Sequence, residues 1–120
     1  MSKVNILATL KSKDETVKFD GKGIKNNNKI IYLDDSVKTI LDISDVITIE
    51  RTNGYYLKIY LKKGHKLKGE YKTNYGNLSI HTYTKDIIIE HNKINIIYDL
   101  YINEHLIDTF IYNLEYSIDS

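Results

Sequence analysis

The sequence predicts an all-β domain, an antiparallel up-and-down β-barrel of about ten strands. Three observations point there. Apolar and polar residues alternate along most of the chain, short polar turns interrupt the alternation, and no stretch carries a 3.6-residue apolar period with caps.

The first run, 4–11, puts Val4, Ile6, Ala8 and Leu10 on one parity. The second, 16–24, begins with Val17 and Phe19 and carries Gly21 and Gly23, which suit a bend or bulge at a barrel corner. Strands 30–33, 37–43 and 46–52 follow; the last holds Ile47, Ile49 and Arg51 on one face. In 55–61, Tyr55, Leu57, Ile59 and Leu61 alternate with Tyr56, Lys58 and Tyr60. Strand 66–73 places Leu67, Gly69, Tyr71 and Thr73 together, and 77–91 is long, with a bend expected near Lys85-Asp86. The strictest period of two is Ile94, Ile96, Tyr98, Leu100 and Ile102 in 94–102; 106–116 repeats it with Leu106, Phe110, Tyr112, Leu114 and Tyr116. Among the turns Asn53-Gly54 is the sharpest signal, because a two-residue hairpin loop needs positive φ at both positions. A meander this wide tends to curl, and closing it removes aggregation-prone edges. No linker, low-complexity segment or repeat divides the chain, so one domain over 1–120 is expected.

Composition narrows the function classes. There is no cysteine, which excludes disulfides, thiolate metal sites and cysteine nucleophiles. A formal charge of +1 gives no argument for nucleic acid on its own. No apolar run approaches the ~20 residues of a membrane-spanning helix. Met1-Ser2-Lys3-Val4-Asn5 enters the alternating pattern directly, without the apolar core of a signal peptide, so a cytoplasmic location is expected. The abundance of Lys, Asn, Ile and Tyr fits an AT-rich coding sequence, so the 11 tyrosines are not in themselves a functional sign.

The stretch from Arg51 to Lys85 resembles the YwiB-like family of small bacterial proteins of unknown function. The family's arginine, glycine and Y-x-T-x-x-G-x-L-x-(I/L)-x-T-x-T-K run is met by Arg51, Gly54, Tyr71, Thr73, Gly76, Leu78, Ile80, Thr82, Thr84 and Lys85. Val4 and Ile6, Phe19 to Gly23, and Ile94 to Leu100 look similar to its framing segments. The resemblance implies a lipocalin-like barrel of the calycin type and no assigned activity.

Strand parity supplies the leading candidate site. Arg51, the only arginine, shares a face with Ile47 and Ile49, and its planar fork of donors suits a carboxylate or phosphate. In a meander, Arg51, Tyr71 and Thr73 fall at one end of the barrel, a polar mouth over an apolar interior that would bind a small, partly apolar anion. Such a site calls for a cavity of at least ~300 Å³ with Arg51 at its rim. The plainer alternative pairs Arg51 with Glu50, Glu70 or Asp108 to close the barrel end; Asp108 shares the parity of Leu106 and Phe110.

A second function, of another class, rests on charge. Lys58, Lys62, Lys63, Lys66, Lys68 and Lys72 stand against Glu70 alone, whereas Asp86, Glu90, Asp99, Glu104, Asp108, Glu115 and Asp119 stand against Lys93. Tyr56, Lys58, Tyr60, Lys66, Lys68 and Lys72 share the outward parity, as a face for RNA or an acidic protein would require. The same pattern also describes a solvated face whose lysine stems cover its tyrosines, or a patch docking on a second copy in a homo-oligomer. A small barrel enzyme is the third reading, with Tyr71 beside Arg51 and next to Glu70 for acid–base work, although Glu70 falls on the opposite face from Tyr71 and no nucleophile elbow is present. His65, His91 and His105 fall in turns and His81 on an outward parity, without ligand spacing, so no metal or cofactor is expected.

Overall fold

The computed structural model describes residues 1–119, and all of its regular structure is antiparallel strand. The elements are β1 (Ser2–Lys11), β2 (Thr16–Asn26), β3 (Lys29–Asp34), β4 (Val37–Asp42), β5 (Ile47–Thr52), β6 (Tyr56–Leu61), β7 (Lys66–Lys68), β8 (Glu70–Thr73), β9 (Gly76–Leu78), β10 (Ile80–Glu90), β11 (Lys93–Ile102) and β12 (His105–Ile118). Among these residues no helix is long and apolar enough to cross a membrane.

From β1 to β6 and from β10 to β12 each strand pairs with the next, and β12 returns to β1 with Leu10 opposite Tyr112 and Val4 opposite Ile118. Twelve strands appear where about ten are expected because two of them bend. The expected strand 66–73 divides at Gly69 into β7 and β8, and 77–91 divides at Ser79 into β9 and β10. One register nevertheless runs through both halves: Lys68 faces His81, Tyr71 faces Leu78, and between them the Gly69 N–H donates to the Ile80 carbonyl at 3.0 Å. They form a single kinked hairpin. Its outer half pairs with β6 through Tyr56, Leu57 and Lys58, and β10 pairs with β11 on its far side, so the hairpin closes the ring.

Beyond Lys58, β6 and β7 share no ladder, and polar groups of β10 span the seam. The buried Thr82 hydroxyl donates to the Tyr60 carbonyl at 2.7 Å, and the Gly64 N–H donates to the Thr84 carbonyl at 2.8 Å. The bend expected near Lys85-Asp86 is a register shift between Thr84 and Asp86.

The inward parity fills in two tiers. At the end of the β2–β3, β4–β5 and β10–β11 turns the core is aliphatic: Val4, Ile6, Ile30, Leu41, Ile47, Leu61, Ile94 and Leu114 are buried. Toward the other end the inward residues become Phe19, Tyr32, Tyr98, Phe110 and Tyr112, with Thr39 and Arg51. One parity expectation fails. A register shift beside Ile107 sets Leu106 opposite Tyr101 rather than on the Phe110 face, and Leu106 and Ile107 are exposed. An extra residue in one strand reverses the facing of everything before it.

The kink carries a stability prediction. A Cβ on Gly69 would sit 2.5 Å from the Lys58 carbonyl oxygen, a backbone atom that cannot swing aside. Gly69→Ala should therefore cost about 1–3 kcal/mol, as overpacking of a closed site does. A urea midpoint lowered at unchanged m is the expected result; an unchanged midpoint would show that the seam is slack.

Candidate functional site

The aromatic tier encloses a cavity of about 240 Å³ that opens at the end carrying the β1–β2, β3–β4, β5–β6 and β11–β12 turns. Local sequence builds its walls. On β2 the inward positions are Phe19, Gly21 and Gly23, and the bare Gly21 lets the Phe19 ring fold back along the strand. That ring stacks on Tyr32 with centroids 4.6 Å apart. Across the cavity, Tyr98 and Phe110 are direct partners of β11 and β12 and stack at 5.6 Å. Tyr32 and Tyr112, from β3 and β12, share a buried hydrogen bond of 2.9 Å between their hydroxyls.

Three phenols of the lining ionise with difficulty. Burial pushes the Tyr32, Tyr98 and Tyr112 hydroxyls above the ordinary value of 10.0, and the positive charge of Arg51 opposes the shift at all three. At neutral pH they stay protonated, so the lining presents O–H groups beside one guanidinium.

Arg51 lines the cavity near its mouth, as parity predicts. Its pairing with an acidic residue does not form: it makes no ion pair among the described residues. Glu50 instead accepts from the Tyr56 hydroxyl, Glu70 lies opposite Lys58, and Asp108 accepts the Lys13 and Thr109 N–H groups at 3.2 and 2.7 Å. The Arg51 Nε is buried and has no protein acceptor.

Sequence reasoning missed its neighbour. Thr39 is the direct cross-strand partner of Arg51, lines the same cavity and is 2% exposed; its hydroxyl makes no hydrogen bond of normal geometry, although it stands close enough to the Tyr32 phenol to ease that group's ionisation. The signal was present in the alternation, since Thr39 shares the parity of Val37 and Leu41. Tyr71 and Thr73 do sit at the mouth end, yet neither lines the cavity. Tyr71 packs on the core one strand beyond Leu57 and meets Tyr55 edge-on at 6.2 Å. Thr73 spends its hydroxyl in the hairpin tip, donating to the Gly76 carbonyl at 2.8 Å and accepting the Tyr75 N–H at 3.1 Å.

The outward lysine and tyrosine set divides. Lys72 lies over the Tyr56 ring at 5.6 Å and Lys58 over Tyr60 at 5.3 Å, while Lys66 lies over Tyr101 at 4.4 Å, on the other side of the seam. Lys58 has Glu50 and Glu70 as its cross-strand neighbours, and Lys63 pairs with Asp86 at 3.2 Å. Charge that looks polarised along the sequence is thus partly neutralised around the ring. His81 faces outward, although its Nδ1 is buried and without a partner. Among the described residues no three His, Asp or Glu side chains converge to hold a metal.

Two predictions follow from the lining. A buried hydroxyl without a partner costs roughly 1–3 kcal/mol, so Thr39→Val, close in shape, should raise the urea midpoint; a fall would mean that the hydroxyl is satisfied. The phenols give an alkaline signature. Below pH 10 folded and unfolded chains both keep these protons; above it the unfolded chain loses them first, so stability falls as pH rises. Tyr98→Phe should make that fall shallower in urea titrations between pH 8 and 11.

Comparison with known proteins agrees with the architecture. The crystal structure of ywiB protein from Bacillus subtilis superposes with a TM-score of 0.60 at 19% identity, over 96% of this chain and 90% of that one. At that identity the likeness speaks for the fold alone. No curated protein matches. A family described as a domain of unknown function, DUF1934, matches residues 4–114, and with nearly the whole barrel inside that match the chain belongs to this family.

Proposed function

We propose that the barrel binds a small, partly apolar anion through its mouth-end cavity, with Arg51 and Thr39 receiving the charged group. One observation carries the reading: two cross-strand neighbours, both inward, each hold a buried polar atom without a protein partner at the same cavity. Leaving a buried donor unpaired costs about 1–3 kcal/mol, and an oxyanion removes that cost at both groups together. The rest of the lining is mainly apolar, which suits the remainder of such a ligand. At about 240 Å³ the space is smaller than the ~300 Å³ expected from sequence, so the ligand belongs at the small end of the usual range. Tyr71 and Thr73 take no direct part.

The basic face is the weaker reading. The rings of Tyr56 and Tyr60 lie under the protein's own Lys72 and Lys58, and Lys58 stands between Glu50 and Glu70, which weakens the face as a platform for RNA or an acidic partner. An enzyme reading has less support still, because Tyr71 stands outside the cavity.

The test is titration of the full chain with hexanoate and 3-phenylpropionate, followed by calorimetry or chemical-shift change. Arg51→Leu should weaken binding about 10- to 100-fold, the worth of a charged hydrogen bond. Thr39→Val should weaken it several-fold while remaining folded, which keeps the test decisive if Arg51→Leu unfolds. Wild-type affinity in a folded Arg51→Leu protein, or no binding of either acid by the native chain, would rule the site out.

A further inference from the structure

We infer that the ligand class is a single-ring aromatic monocarboxylate, its carboxylate on Arg51 and Thr39 and its ring against the stacked aromatic pairs of the cavity. The inference rests on the anion reading above and narrows it. Phe19–Tyr32 and Tyr98–Phe110 are each near-parallel pairs, with interplanar angles of 21° and 24°, and all four residues line the cavity. They come from β2 and β3 on one side of β1 and from β11 and β12 on the other. Ring faces supplied from two sides favour a third flat ring over a flexible chain, which would lose rotamer freedom on entry.

The polar atoms set the head group. Tyr32, Tyr98 and Tyr112 are held protonated and Arg51 only donates, so even with one O–H spent between Tyr32 and Tyr112 the interior offers donors. A carboxylate, which only accepts, matches it; an ammonium does not. The charge balance sets the valence. Arg51 is the one cation of the lining, and Asp34 stands in the same lining without an ion pair among the described residues. A second negative charge on the ligand would be repelled by Asp34, which disfavours phosphate monoesters.

The experiment compares 3-phenylpropionate, hexanoate and phenyl phosphate on the native full-length chain and on Asp34→Asn. The native protein should take 3-phenylpropionate at least tenfold more tightly than either of the others. Asp34→Asn should narrow the gap between phenyl phosphate and 3-phenylpropionate at least fivefold. Hexanoate binding as tightly as the aromatic acid would overturn the aromatic assignment and leave the anion site standing. Phenyl phosphate binding more tightly, or a gap unmoved by Asp34→Asn, would overturn the monoanion assignment. Failure of both carboxylates to bind would remove the anion site itself, an outcome distinct from the other two.

Discussion

A curled sheet needs its two end strands brought together, and in this chain that is done by one hairpin bent at Gly69, across a seam that no ladder spans beyond Lys58. The β7/β8–β9/β10 hairpin keeps one register through the bend, so no backbone pairing is given up at the corner. Its outer part reaches β6 while β10 reaches β11. Without the bend the meander would end in two long exposed edges, the arrangement that invites pairing with other chains. Closure also fixes the interior. A ring of fixed circumference has a fixed cross-section, and side-chain size then decides where it is full.

The two tiers follow from that. Branched aliphatic side chains are buried at the opposite end and form the core there. At the mouth end the rings stack in pairs, Phe19 on Tyr32 and Tyr98 on Phe110, and a cavity remains among them. The Tyr32–Tyr112 hydrogen bond ties β3 to β12 across this tier and lets two phenols be buried without orphaned hydroxyls. Arg51 and Thr39 receive no such provision. Many of the barrel's other polar demands are met by neighbours, as Thr82 is by Tyr60 and Asp108 by two backbone N–H groups; His81 and Thr84 also hold a buried atom without a partner, but among the described residues only Thr39 and Arg51 do so as cross-strand partners in the cavity wall.

Much of this architecture was legible in the sequence because period two is a direct readout of facing. Arg51 follows Ile47 and Ile49 inward without any tertiary information. What was not legible depended on pairing. A glycine inside a strand, such as Gly69, suits a bend, but that its two flanks pair on different strands is decided by ring closure. The residue added at Ile107 reverses Leu106 without a mark in the local pattern. Thr73 seemed a mouth ligand because parity reports facing and not distance along the barrel axis; its strand runs past the cavity into a hairpin tip. Thr39 was overlooked for a different reason: a threonine among apolar residues of like parity is ordinary β-sheet composition. Only its missing partner sets it apart.

That missing partner has energetic weight. A domain of this size is stable by roughly 5–15 kcal/mol, and two unpaired buried groups at ~1–3 kcal/mol each take a visible share of it. A closed barrel with an aliphatic alternative at either position would be the more stable protein. Packing therefore gives no reason for a guanidinium and a hydroxyl to face each other across β4 and β5, whereas the capture of an acceptor from outside the chain does. Consistency across the levels of a structure is the general rule, and its local failure is expected where a surface or cavity is kept ready for a ligand. In this barrel the Arg51–Thr39 pair is such a failure, and it lies in the wall of the mouth-end cavity.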